Sequence, residues 1–151
     1  AMETEAADRY AECADVLEAH NNLEVAVLFR SLARIERMHG EQLVRSMGRT
    51  VAEAPRRTGA TAEQEGAAPA DLHYLMRPHH ALTLALRGEQ EAQRFYARLA
   101  RTAASDEVRK VARDMARDEA EHVRLIEEWL KRTPVPAADW AADDDPPRLG
   151  D

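Results

Sequence analysis

The sequence predicts an all-α protein, a four-helix bundle in which two antiparallel helical hairpins are joined by a long crossover. The composition has 44% hydrophobic but only 5% aromatic residues, and its abundant alanine, arginine, glutamate and leucine favour helix over sheet. Four segments carry apolar residues at helical spacing. A long segment containing glycine and proline separates the second from the third. Because short turns make neighbouring helices antiparallel, this long connection allows the second and third helices to run parallel.

The first hairpin is predicted from two periodic segments near the amino terminus. Its first helix covers about 2–19, and the HNN segment at 20–22 ends it, because asparagine both stops helices and caps new ones. Its second helix covers about 23–47 and stops at Gly48.

The second hairpin is predicted to open after Pro78, since proline is favoured in the first turn of a helix. Its first helix continues to about Ala104. Ser105 and Asp106 then provide a cap for the last helix, which ends near Arg132.

These elements divide the chain into a bundle domain and a tail. We predict the bundle over 1–132, with the crossover at 49–77, and a mostly irregular tail over 133–151 that is rich in proline and aspartate.

Charge and cysteine content exclude several classes of function. The net charge of -7, without a basic face, argues against nucleic acid and anionic membrane surfaces as partners. No apolar run approaches the roughly 20 residues needed to span a bilayer, and no signal segment opens the sequence. The single cysteine, Cys13, excludes an intramolecular disulfide and a cysteine-based zinc or rubredoxin-type iron site. The expected compartment is the reducing cytoplasm.

The two predicted hairpins repeat one another. ETEAADRY at 3–10 matches EQEAQRFY at 89–96, each with Glu, then Ala three residues later and Tyr seven residues later. ERMH at 36–39 matches EAEH at 119–122, each a Glu-x-x-His. Each hairpin therefore supplies one Glu from its first helix and a Glu-x-x-His from its second, and this internal match is the strongest signal in the sequence.

These polar residues lie on the stripe that should face the core. Positions i and i+3 are about 60° apart around a helix, so each Glu-x-x-His projects to one side, among leucines and methionines. An unpaired buried carboxylate costs several kcal/mol, whereas two divalent cations would balance four carboxylates. Mixed carboxylate and imidazole ligands suit iron or manganese, with zinc also possible. The predicted metal ligands are Glu3, Glu36, His39, Glu89, Glu119 and His122.

A bundle held by buried Glu-to-Arg pairs is the alternative to a metal site. It leaves both histidines without an explanation.

At these positions the sequence resembles the ferritin-like di-iron carboxylate proteins, and most closely the di-iron domain of the rubrerythrin family. The resemblance extends over about 1–132, with all six motif positions occupied. It implies two iron ions. Under it, Glu3 and His39 would bind one iron, Glu89 and His122 would bind the other, and both irons would be bridged by Glu36 and Glu119.

Two features depart from the rubrerythrin pattern. Rubrerythrins carry an extra carboxylate one turn after the Glu of the third helix, where this sequence has Ala92, matched by Ala6 in the first half. A symmetric six-ligand site, as in bacterioferritins, is therefore expected. The rubredoxin module is also absent, so electrons would come from a separate donor.

Three further residues are expected to support the ligands. Asp118 resembles an aspartate of bacterioferritins and would hold the distal nitrogen of His39, whereas the equivalent position in the second helix is Ile35. Tyr10 and Tyr96, two turns from Glu3 and Glu89, are expected to hydrogen-bond to ligands. Since Glu3 is close to the first residue and no initiator Met precedes Ala1, we expect the natural first helix to start upstream.

The resemblance implies an oxidoreductase that reduces hydrogen peroxide or dioxygen by two electrons. The nearest alternative activity is ferrous oxidation with iron release or transfer. An iron-binding or storage-related protein without turnover, and a di-iron monooxygenase acting on an organic substrate, are further alternatives. By analogy with the family, a homodimer is expected.

Overall fold

The structure, a computed structural model, describes residues 2–47 and 76–138. In these ranges it contains helices and no strand, which confirms the predicted all-α class. The helices are α1 Met2–Ala19, α2 Leu23–Met47, α3 Pro78–Thr102 and α4 Asp106–Lys131. The third helix ends slightly before the predicted Ala104, because its C-cap residue, Ala103, is extended with φ -64° and ψ 140°. Most of the predicted crossover and most of the predicted tail lie outside the described residues.

The helix ends follow the chemistry of their sequences. Between α1 and α2, Asn21 has a positive φ of 59°, a conformation that asparagine tolerates better than most residues. The next amide, of Asn22, donates to the carbonyl of Leu17 at 2.8 Å, which closes the end of α1. At the start of α4, the Ser105 side chain accepts a hydrogen bond from the amide of Val108.

Contacts between the hairpins fix the helix directions. Tyr10 of α1 reaches Glu89 of α3, and Tyr96 of α3 reaches Glu3 of α1, so α1 and α3 are antiparallel. Helices α2 and α4 are also antiparallel. Glu36 lies near His122, and His39, three residues further along α2, lies near Glu119, three residues further back along α4. Because α3 and α4 form a hairpin, α2 runs parallel to α3. This is the ferritin-like bundle arrangement.

Two hydrophobic clusters lie on either side of the polar residues. The larger cluster includes Leu17, Phe29, Leu32, Leu82 and Ile126. The smaller one contains Leu43, Tyr96, Ala112 and Met115. Burying one large apolar side chain contributes roughly 1.5–3 kcal/mol, so the clusters stabilise the bundle around a polar middle. Within the described ranges, no helix has the combined length and apolar character that crossing a membrane requires.

Candidate metal centre

All six predicted ligands lie inside the bundle. Their exposed fractions are 4% for Glu3, 3% for Glu36, 8% for His39, 2% for Glu89, 1% for Glu119 and 9% for His122. Helices α1 and α3 contribute one glutamate each, and α2 and α4 contribute a glutamate and a histidine each. Below, the His39 half-site means Glu3, Glu36 and His39, and the His122 half-site means Glu89, Glu119 and His122.

The His122 half-site is closely assembled. The Nδ1 atom of His122 lies 3.2 Å from Glu89 Oε2 and 3.4 Å from Glu119 Oε2, and it is 3.3 Å from Glu36 Oε1 of the other hairpin. Each of these four residues offers one ligand atom, and the four atoms lie within 4.8 Å of one another. This spacing suits a single cation held by three carboxylates and one imidazole.

The His39 half-site is more open. The Nδ1 atom of His39 lies 3.7 Å from Glu119 Oε1 and 3.9 Å from Glu36 Oε2. Its Nε2 atom points to the half-exposed Asp118, with 3.7 Å between Nε2 and Oδ2. The two imidazole rings are nearly parallel, with centroids 5.6 Å apart. Glu3 and His39 are thus close to the four-residue cluster without belonging to it.

Each tyrosine singled out in the sequence hydrogen-bonds to a glutamate of the other hairpin. Tyr10 donates to Glu89 and Tyr96 donates to Glu3, and both hydroxyls are buried. Burial and the adjacent Glu89 charge raise the pKa of Tyr10 well above its ordinary value, so this hydroxyl keeps its proton. The tyrosines therefore orient the two glutamates that the first helices of the hairpins contribute.

The protonation of the centre reflects its concentrated negative charge. Burial raises the pKa of Glu89 to about 8. Burial disfavours the charged form of His122, but the surrounding carboxylates outweigh this and raise its pKa to about 12. Burial alone would raise the pKa of Glu119, but the neighbouring imidazoles of His122 and His39 lower it. Without metal, protons on Glu89 and His122 thus neutralise part of the negative charge that a bound cation would neutralise.

The buried donor atoms fit a metal of the iron or manganese class. In the described part of the chain, the buried atoms without a hydrogen-bond partner are Glu36 Oε1, His39 Nδ1, Glu119 Oε1 and Glu119 Oε2. Such atoms are costly to bury unless something else binds them. Arginine pairing is instead seen at the surface, where Arg30 pairs with Asp15 and Glu18. Oxygen and imidazole nitrogen atoms around one point are the donor set that these metals prefer.

A small cavity beside the four carboxylates was not foreseen from the sequence. Its volume is about 30 Å³, and its remaining lining residues are Met2, Ala6, Arg9, Tyr10, Gly88 and Ala92. A methyl group added at Gly88 would lie 3.7 Å from the Tyr10 hydroxyl. A glycine inside a helix lowers stability by about 1 kcal/mol relative to alanine. Gly88, inside α3, was therefore the residue from which this space could have been predicted.

Comparisons with known proteins agree with this fold and centre. The rubrerythrin family model matches residues 80–137, which include most of α3 and all of α4. The crystal structure of an uncharacterized conserved protein from Magnetospirillum magnetotacticum MS-1 superposes with a TM-score of 0.70 and 37% sequence identity. That match covers 90% of this chain and 91% of the other. The chain belongs to the rubrerythrin family. A comparison with curated proteins found no match.

Membership in the rubrerythrin family, together with the Glu and His cluster, supports a protein of the di-iron type. One residue departs locally from the usual rubrerythrin pattern. Ala92 occupies the position at which rubrerythrins carry an additional carboxylate, and both Ala92 and Ala6, its counterpart on α1, border the cavity.

Proposed function

We propose that this rubrerythrin-like protein is a di-iron oxidoreductase that reduces hydrogen peroxide, or dioxygen, by two electrons. The observation that supports it best is a set of buried carboxylate and imidazole atoms from both hairpins that have no hydrogen-bond partner among the described residues. Glu3 and His39 would hold one iron, Glu89 and His122 the other, and Glu36 and Glu119 would contact both. The bound irons would supply the two electrons that break the oxygen–oxygen bond.

The reaction balances as hydrogen peroxide plus two protons and two electrons giving two water molecules. An external electron donor would return two electrons to the centre after each turnover. Within this sequence a rubredoxin-type iron site cannot be the donor, because Cys13 is the only cysteine.

Protein side chains would prepare the site for this chemistry. The hydroxyls of Tyr10 and Tyr96 hold Glu89 and Glu3 in fixed orientations. Asp118 would accept from the Nε2–H of His39, which leaves the Nδ1 atom of that ring free to bind metal. The two hydrophobic clusters keep bulk water away from the polar layer.

A homodimer in the cytoplasm completes the proposal. The dimer rests on analogy with the family, and light scattering of the metal-loaded protein would measure its mass. The cytoplasmic location is inferred from Cys13, a free and buried cysteine that suits a reducing compartment.

Stopped-flow mixing of the di-ferrous protein with hydrogen peroxide and, separately, with dioxygen tests the proposed reaction. We expect ferric absorption to develop faster with peroxide at equal concentration. Equal rates with the two oxidants would rule out a peroxidase and favour ferrous oxidation by dioxygen. Release of the ferric ions into solution after one turnover would identify an iron-oxidising or storage-related protein instead.

A further inference from the structure

The solvent-facing side of α3 carries a row of arginines. Arg87, Arg94, Arg98 and Arg101 are all exposed, and their spacing of seven, four and three residues places them along one side of the helix. None of them forms an ion pair within the described part of the chain. The net charge of -7 conceals this row, so α3 does not fit the expectation of a protein without a basic face.

The matching side of α1 is acidic. The internal repeat aligns 8, 12 and 15 of α1 with 94, 98 and 101 of α3, and all three α1 residues are acidic. Asp8 and Asp15 are paired with arginines of α2. Glu5 and Glu12 are exposed and form no ion pair with another described residue. Two neighbouring helices therefore present uncompensated charges of opposite sign.

The register between α1 and α3 is set by the two tyrosine links. Tyr10 contacts Glu89 and Tyr96 contacts Glu3, and in both links the two residue numbers add up to 99. Antiparallel helices rise equally per residue in opposite directions. Any other residues of α1 and α3 whose numbers add up to 99 therefore also lie at the same height along the bundle.

Two pairs of opposite charges lie at equal heights on the outer side of α1 and α3, called here the α1/α3 face. By this register Glu5 lies at the height of Arg94, and Glu12 lies at the height of Arg87. At 100° per residue, the glutamates lie about 160–180° around α1 from its metal ligand, and the arginines lie about 140–160° around α3 from its metal ligand. All four side chains therefore point away from the interior of the bundle.

Half-buried apolar residues lie between the two charged rows. Val16 is seven residues after Arg9, and Leu84 is four residues before Gly88, so both continue the helix sides that line the small cavity between α1 and α3. Both also pack against the larger hydrophobic cluster. Under the same register their heights differ by one residue. A second molecule placed on this face would cover them.

We propose that the α1/α3 face binds the same face of a second copy of this chain, in a dimer whose two-fold axis runs along the helices. Such an axis leaves heights unchanged and places α1 of each copy against α3 of the other. Glu5 then lies opposite the partner's Arg94, and Glu12 lies opposite the partner's Arg87. Exposed ion pairs add little affinity, so these charges set the orientation while the apolar residues between the rows supply binding.

This inference goes beyond the redox chemistry proposed above and specifies an interface for the homodimer proposed there by analogy. An extended polyanion fits the face less well than a second copy does. A nucleic acid carries one negative charge about every 1.7 Å, and it would meet the acidic row of α1 beside the basic row of α3.

The test exchanges the charges of the two rows. The α1-reversed variant combines Glu5→Arg with Glu12→Arg, and the α3-reversed variant combines Arg87→Glu with Arg94→Glu. The full swap carries all four substitutions. Light scattering measures the molar mass of each metal-loaded protein over a range of protein concentrations, at low and at high salt. Circular dichroism and metal analysis verify that each variant is folded and loaded.

The matched control combines Arg113→Glu with Arg124→Glu, which changes two exposed arginines of α4 and alters the net charge as the α3-reversed variant does.

We expect the wild type and the control to dimerise, more strongly at low salt than at high salt. Each reversed variant should dimerise at least about tenfold more weakly, since like charges then face each other. An equimolar mixture of the two reversed variants should form a one-to-one dimer, and the full swap should dimerise like the wild type. Both restore opposite charges at every pair.

Dimers that persist unchanged in both reversed variants would overturn the assignment, because the interface would then lie on another face. Reversed variants that are rescued neither by mixing nor by the full swap would overturn it as well. If the wild type were monomeric and bound a short DNA duplex or phosphatidylserine vesicles, and the α3-reversed variant did not, the basic row would be a polyanion site instead.

A monomeric wild type would overturn the homodimer together with this interface. Failure of the proposed redox function is distinguished by other measurements. In that case the wild type would bind no iron, or the iron-loaded protein would not react with hydrogen peroxide or dioxygen, whatever its molar mass.

Discussion

The His122 half-site and the His39 half-site carry the same residue types at matched positions, but their surroundings differ. His122 Nδ1 has three carboxylates within 3.4 Å, whereas the nearest carboxylate to His39 Nδ1 is 3.7 Å away. His39 has Asp118 beside its other nitrogen, and the matched residue of the other hairpin is the half-buried Ile35.

This difference shows that a repeated motif need not give two equivalent metal sites. A compact donor set needs less rearrangement to bind a cation, so it should bind the first of the two cations. An aspartate behind a histidine ligand increases the basicity of that ligand. We therefore expect the first cation to bind at the His122 half-site with Glu36, and the second to depend on His39 and Asp118.

Removing one of the two proposed bridging carboxylates should have the largest effect. Glu36→Ala or Glu119→Ala leaves both cations short of a ligand, so each variant should retain little of either metal. Metal analysis after purification with the native metal measures this, and Glu121→Ala, which changes an exposed glutamate on α4, is the control. Full metal content in both variants would contradict the bridging roles of Glu36 and Glu119.

The two histidines should have unequal effects on metal titrations. His122→Ala removes a proposed ligand from the compact cluster. Loss of a ligand's hydrogen-bond partner typically weakens metal binding by roughly 10–100-fold, and loss of the ligand itself should weaken the first binding step by more than that. His39→Ala should preserve the first step and weaken the second. Calorimetric titration of metal-free protein with Zn²⁺ or Co²⁺ separates the steps. If His39→Ala abolished the tighter step instead, the proposed order would be reversed.

A smaller change is expected from Asp118→Asn. This substitution keeps the shape of the side chain but removes its charge, so the second binding step should weaken by roughly 10–100-fold. The first step should stay as in the wild type. Asp114→Asn, on the same helix and paired with Arg117 near the surface, is the matched control for the same titration. Equal weakening in both variants would indicate a general charge effect.

The smallest expected effect is a shift of thermal stability with pH in the metal-free protein. Glu89 and His122 have pKa values raised to about 8 and about 12, so the stability each contributes is complete below its unfolded pKa. That stability is lost as the pH rises, from 4.5 towards 8 for Glu89 and from 6.5 towards 12 for His122. The Glu119 pKa is lowered, and its opposite effect is confined to pH values below 4.5. The Tm should therefore fall by a few degrees between pH 5.5 and 8.

Calorimetry with a chelator present, and again with excess Mn²⁺, measures this shift. Because metal binding must expel the same protons, the increase in Tm caused by Mn²⁺ should grow over this pH range. Glu89→Gln should flatten the fall in the metal-free protein. A metal-free Tm that rises from pH 5.5 to 8 would show that the His122 half-site does not retain these protons.

Helix extents and candidate ligands were predictable because both depend on local features. Apolar spacing predicted four helices to within about two residues, and Asn21 and Ser105 marked two of their ends. A glutamate three residues before a histidine projects to the same side of any regular helix, and two matched copies of this pattern predicted the polar layer.

Packing between the hairpins decided the remaining features. The links of Tyr10 to Glu89 and Tyr96 to Glu3 join residues far apart in the chain, and a fraction of an ångström separates the compact His122 half-site from the open His39 half-site. The cavity exists only where Ala6 on α1 faces the same space as Ala92 on α3. Helical periodicity fixes the direction of a side chain on its own helix, but distances between helices depend on how all the side chains between them pack.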